Sequence, residues 1–213
     1  GPAKIVSQTQ FTDTEMARLG VAGGDLSRYK VLHFATHGLT EGQFGCSDSP
    51  ASLLTSIGEA GSDMLLDIEE IANLRLDANL VVLSACETGA GALAKGEGIL
   101  SLARSFRFAG CKSVVYSLWQ ADGVAANTLI TGFYQHLKKG DRKTKALQKI
   151  KTRYLNNASP QYIHPYYWST FVLIGENGPT GNNSHIYLYI SALCLLIVLI
   201  VIVIRKYFIS NTA

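Results

Sequence analysis

An α/β fold with a mostly parallel sheet is predicted by three observations. Three short Val/Leu-rich runs of strand length occur at residues 30–35, 80–85 and 112–119. Between and after them lie segments with helical spacing or helix signals, at 67–76, 98–108, 123–138 and 141–155. Strands that alternate with helices need crossovers on both faces, which gives a three-layer α/β/α sandwich. The chain of 213 residues is long enough for one domain of about 170 residues with a sizeable core.

Taken in order, residues 4–9 are expected to form a strand, and 12–19 a short helix capped by Thr12 or Asp13. The strand at 30–35 follows. Residues 39–62 are rich in Gly, Ser, Asp and Pro and read as a long surface loop, with room for a short strand at 52–55. The spacing of Ile68, Ile71, Ala72 and Leu76 predicts a helix over 67–76. The strand at 80–85 leads toward a helix at 98–108, which Gly110 terminates. After the strand at 112–119 come the two helices at 123–138 and 141–155, and residues 166–174 are expected to be the last strand.

The formal charge of +3 is too mild to imply a nucleic-acid partner. Basic residues cluster from Lys138 to Arg153 on helical segments without interleaved aromatics, which reads as a solvated face. The four cysteines, Cys46, Cys86, Cys111 and Cys194, form no CxxC pair or His/Cys cluster. No zinc site, dense disulfide framework or other cofactor is implied. The opening Gly1-Pro2 reads as a protease-cleavage scar from a fusion.

Chemistry gathers at two strand tips, because in open parallel sheets sites form where the carboxyl ends of strands meet loops. The run ending His33-Phe-Ala-Thr-His37-Gly38 offers an imidazole, and the run ending Leu83-Ser-Ala-Cys86-Glu-Thr-Gly89 offers a thiol. A thiolate attacks a carbonyl carbon, an imidazole moves the proton, and backbone N–H groups of Gly38 and Cys86 are placed to receive the oxyanion. His33 and His37, four apart on a strand, would stand about 13 Å apart, too far for one metal ion. His33 is therefore read as a satisfied core residue.

These residues resemble the CHAT family of caspase-like cysteine peptidases, in the clan of caspases and separase. The likeness continues through Gly96-Glu97-Gly98, Leu100-Ser-Leu-Ala-Arg-Ser-Phe106, Ser117-Leu-Trp119 and His164-Pro-Tyr-Tyr-Trp168 to Phe171-Val-Leu-Ile-Gly175. The resemblance implies a caspase-like three-layer sandwich over residues 3–176, with His37 and Cys86 as the catalytic dyad. It also implies that Trp119 and Asp122 line the substrate cleft, and that core strands and helical repeats precede this segment in a longer protein. Where the family carries Pro after the Trp and a second acidic residue after the Asp, Gln120 and Gly123 stand here. Those departures bear on substrate preference and leave the dyad intact.

Other readings compete at several of these positions. Gly89-Ala-Gly91-Ala-Leu-Ala94 matches a dinucleotide-binding GxGxxG/A pattern, but Cys86-Glu-Thr separates its first Gly from the strand. The next acidic candidate, Asp122, is over 30 residues away, where about 20 are needed. Glu97 can face the site or simply favour a helix dipole, and Asp122 can be an N-cap. The non-enzymatic alternative for the whole chain is an inactive caspase-like scaffold tethered to a membrane.

The tether is the run that starts at Ile186 and ends at Ile204, which holds 19 residues without a charge. As a helix it would be about 28 Å long, close to a bilayer's hydrocarbon thickness. Residues 177–185 read as the linker and 205–213 as a short basic tail. Arg205 and Lys206 follow the span while 175–185 contains no Lys or Arg, so the positive-inside bias places the catalytic domain on the extracytoplasmic side, the periplasm in a bacterium. The alternative is insertion as a tail anchor, which leaves the domain in the cytoplasm, where a free thiol is kept reduced.

Overall fold

The computed structural model describes residues 3–39, 49–58, 62–84 and 98–180, together with Leu193. A central sheet is built from β1 (Val31–Phe34), β5 (Leu80–Leu83), β6 (Ser113–Ser117) and β7 (Phe171–Gly175), in that spatial order. The β1–β5 and β5–β6 pairs are parallel and β6–β7 is antiparallel. The α/β class with a mostly parallel sheet is therefore as the sequence predicts.

Alternation along the central strands decides what covers each face. Val81 and Leu83 of β5 join Val114 and Tyr116 of β6 on one side, packed with Met16, Ile71, Leu102 and Phe106. Those partners come from α1 (Asp13–Leu19), α2 (Ile68–Asn73) and α3 (Gly98–Phe108). Leu80, Val82 and Val115 face the other way, onto Leu129, Phe133, Leu147 and Ile150. Those belong to α4 (Gly123–Lys138) and α5 (Lys143–Asn157). Each large apolar side chain so buried stabilises the fold by about 1.5–3 kcal/mol, and the two clusters make the three layers.

Local chemistry sets the element ends. The Thr12 hydroxyl accepts the Glu15 N–H at 3.1 Å and starts α1. Asp67 and Glu70 form a reciprocal capping box on α2. That helix stops at Asn73, shorter than predicted, because Leu74 turns extended while Leu74 and Leu76 still enter the core. α3 gives way at Gly110, whose φ of +106° few residues other than glycine adopt.

Two expectations are corrected. Residues 4–9 are not a strand: they join no sheet, Ile5 is exposed, and Gln8–Gln10 form a 3-10 turn. Residues 166–174 are not one strand either. His164 caps α6 (Pro165–Trp168) by accepting the Tyr166 N–H, Pro165 presets the first helical φ, and β7 begins only at Phe171.

The predicted loop after His37 contains more order than its composition suggests. β2 (Gly38–Leu39), β3 (Ser52–Leu54) and β4 (Leu65–Asp67) form a second, antiparallel sheet. Among the described residues no helix is long and apolar enough to cross a membrane. Apart from Leu193, which is helical and exposed, the expected span at 186–204 lies outside the described residues.

Candidate active site

The register of β1 on β5 aligns the two strand tips. Phe34 stands opposite Leu83, and the Ser84 N–H donates to the Phe34 carbonyl at 3.0 Å. His37 lies three residues beyond Phe34, and Cys86 lies three residues beyond Leu83. Neighbouring strands run about 4.8 Å apart, so the carboxyl ends of β1 and β5 lie side by side. Cys86 itself, with Glu97 and the glycine pattern at 89–94, lies outside the described residues.

His37 is exposed at the point where β1 gives way to the second sheet. Its carbonyl accepts the Leu54 N–H at 2.8 Å, and the Thr36 hydroxyl donates to the Leu54 carbonyl at 2.6 Å. His37 and Leu54 are thus a hydrogen-bonded pair. The antiparallel alternation then makes Gly38 and Leu53 a non-hydrogen-bonded pair, with the Gly38 N–H turned away from β3. A backbone donor facing away from its own ladder is what an oxyanion-binding amide needs.

His33 is satisfied, as expected, but it is not a core residue. It is exposed on β1, the edge strand, with its Nε2 2.7 Å from the Ser84 hydroxyl and its ring 5.7 Å from that of Tyr134. Desolvation of the ring lowers its pKa and favours the neutral imidazole. The Tyr134 hydroxyl is buried without a hydrogen-bond partner among the described residues, and burial pushes its pKa up strongly. The His33–Ser84 pairing had no signature in sequence spacing, because it depends on strand register.

Trp119 and Asp122 lie past the carboxyl end of β6, two strands from β1 and so about 10 Å away in the sheet direction. Trp119 stacks on Tyr166 at 6.3 Å and donates its Nε1–H to the Tyr166 carbonyl at 3.0 Å. The Tyr166 hydroxyl donates to the Gln120 carbonyl at 3.0 Å. The His-Pro-Tyr-Tyr-Trp segment therefore buttresses the loop after β6. Asp122 Oδ1 accepts the N–H groups of Val124 and Ala125 at 3.1 and 2.9 Å, which makes it the N-cap of α4. It also lines an open groove of about 660 Å³ between α4 and α5, together with Thr128, Arg153 and Tyr154.

Cys111 behaves as a structural cysteine. It is buried, its thiol donates to the Ser113 carbonyl at 2.9 Å, and burial raises its pKa. Cys46, Cys86 and Cys194 lie outside the described residues.

The described residues form an α/β domain in which His37 follows the carboxyl end of β1, beside the parallel strand β5. The chain belongs to the CHAT-domain family, whose pattern it matches over residues 2–176, and that family is related to caspase-like peptidases. It is also similar to tetratricopeptide repeat protein 28 of Mus musculus, at 30% identity over 122 residues, and of Homo sapiens, at 30% over 135 residues. These alignments cover 57% and 61% of this chain but only 5% of each relative.

Proposed function

We propose that this chain is a cysteine endopeptidase in which Cys86 is the nucleophile and His37 the general acid and base. His37 takes the thiol proton, and the Cys86 sulfur bonds to the scissile carbonyl carbon. The amide C–N bond then breaks as the imidazolium gives its proton to the leaving amine. Water, deprotonated by the same imidazole, hydrolyses the thioester and returns the thiol. The N–H groups of Gly38 and Cys86 receive the oxyanion in both steps.

The observation that carries this reading is the pairing of Phe34 with Leu83, since equal offsets beyond it lead to His37 and Cys86. The turn of the Gly38 N–H away from β3 supports the oxyanion role. Asp122 is proposed to favour Arg or Lys before the scissile bond, with Trp119 in the cleft wall. Upstream tetratricopeptide repeats are proposed regulators, in line with the relatives' name. The uncharged run at 186–204 is proposed to anchor the domain to a membrane from its extracytoplasmic side.

A peptide-library assay on folded protein tests the enzyme reading. Cys86→Ala and His37→Ala each remove several orders of magnitude in turnover, because nucleophile and base act as a unit. Absence of turnover in the wild type with any library peptide, with repeats present, would favour the scaffold alternative. Near-normal turnover in folded Cys86→Ala would refute the mechanism.

A further inference from the structure

The end of the domain opposite the candidate site carries a second feature. The chain leaves the sheet there and is pinned as it goes. The Glu176 N–H donates to the Lys112 carbonyl at 2.9 Å, and Lys143 Nζ to the Glu176 carbonyl at 3.2 Å. Asn177 Oδ1 accepts both the N–H and the hydroxyl of Thr144, at 2.8 and 2.9 Å. Asn79 Nδ2, just before β5, donates to the Thr180 carbonyl at 3.0 Å. From Thr180 to Ile186 the chain can span at most about 20 Å. In sequence, only residues 181–185 separate Thr180 from the uncharged run.

The surface around that exit is basic and carries one exposed aromatic. α4 descends to Lys138 and α5 starts at Lys143, so Lys138, Lys139 and Arg142 crowd the turn beside Thr144, all exposed. Arg107 reaches the carbonyls of Cys111 and Lys112 from α3, and Lys112 is exposed beside it. Next to Arg107, Phe108 is 81% exposed, which is unusual for an aromatic at a helix end. The nearby carboxylates of Asp77 and Asp141 are held by Lys30 and Lys149, and Glu176 is outnumbered. α5 contains four lysines and an arginine and no acidic residue.

We propose that this end of the domain, formed by Arg107, Phe108, Lys112, Lys138, Lys139 and Arg142, docks on the surface of an anionic lipid bilayer. Cations near such a surface are attracted within a Debye length, and a phenyl ring inserts at the headgroup boundary. A leash of at most about 20 Å, about two Debye lengths, keeps the cluster near the bilayer once 186–204 is inserted, and docking closes that gap. Parallel strands that start at the bilayer point their carboxyl ends away from it. Docking therefore aims His37 and the carboxyl ends of β1 and β5 outward, toward substrates held off the membrane. The proposal rests on the membrane-anchor reading and requires anionic lipid in the leaflet that faces the domain, on whichever side of the membrane that is.

The test uses the full chain with vesicles of phosphatidylcholine alone or of phosphatidylcholine mixed with phosphatidylserine. Alkaline washing first reports insertion, then amide hydrogen exchange reports docking. In the mixed vesicles, amides at 108–112 and 138–144 exchange about tenfold more slowly than in phosphatidylcholine, and high salt removes the difference. Amides at 159–163, at the other end of α5, do not change. The combined variant Lys138→Glu, Lys139→Glu, Arg142→Glu stays inserted and loses the protection. Retained chain with equal exchange in both vesicles would overturn the docking surface while leaving the anchor intact. Chain that washes off both vesicles would overturn the anchor, and the docking proposal with it.

Discussion

Asp122 offers two roles that substitution can separate. Its Oδ1 accepts two N–H groups at the start of α4, and its carboxylate is also the proposed recognition group for a substrate cation. Replacing an Asp N-cap by Ala costs about 1 kcal/mol. For a domain of this size that lowers Tm by about 3 °C. Asn caps about as well as Asp, so Asp122→Asn loses only the charge at the helix start, a few tenths of a kcal/mol. A charge-assisted hydrogen bond to a substrate guanidinium contributes about 1.5–3 kcal/mol, so the Asn variant should lose about tenfold or more of its Arg/Lys preference. Calorimetry on all three proteins, with kcat/KM for matched Arg and Leu peptides, reads both roles. A Tm for Asp122→Asn as low as that of Asp122→Ala would refute the cap argument. An unchanged Arg preference in the stable Asn variant would remove Asp122 from substrate recognition.

Two further outcomes follow from the packing. Gly110→Ala places a methyl group on a left-handed backbone with its Cβ 2.3 Å from the Leu76 carbonyl oxygen, and should destabilise the domain by about 2 kcal/mol or more in urea unfolding; a loss under half that would show that the turn relaxes freely. The His33 pKa is lowered in the folded state, so the unfolded chain binds more protons as pH falls, and stability drops below about pH 6.5 toward the folded pKa. A His33→Gln variant should lose that part of the acid sensitivity in urea melts at several pH values; an identical profile would mean that other groups set it.

α4 was legible to the residue because Asp122 caps it and the apolar spacing of Leu129, Ile130 and Phe133 runs unbroken to its basic end. β5 was legible as a continuous apolar run because both of its faces are buried. β2 and β4 were missed because two- and three-residue strands are too short to show alternation. α6 was missed because an aromatic run after Pro165 looks like a strand, and only the His164 cap reveals the turn. At the site, the His37 and Cys86 motifs were visible from residue type and position. The offset match between them, the direction of the Gly38 N–H and the His33–Ser84 bond depend on register, which local sequence does not encode.

Covalent trapping tests the central claim most directly. The wild-type chain and His37→Ala, matched for folding by circular dichroism, are treated with a peptidyl chloromethyl ketone ending in Arg, and the modified cysteine is mapped by mass spectrometry. A thiolate formed by a neighbouring imidazole reacts near neutral pH far faster than a free thiol of pKa about 8.5. The account predicts rapid labelling at Cys86 in the wild type, with little at Cys111, and at least about tenfold slower labelling of Cys86 in His37→Ala. Labelling of Cys86 at the same rate in both proteins would contradict the Cys86–His37 dyad.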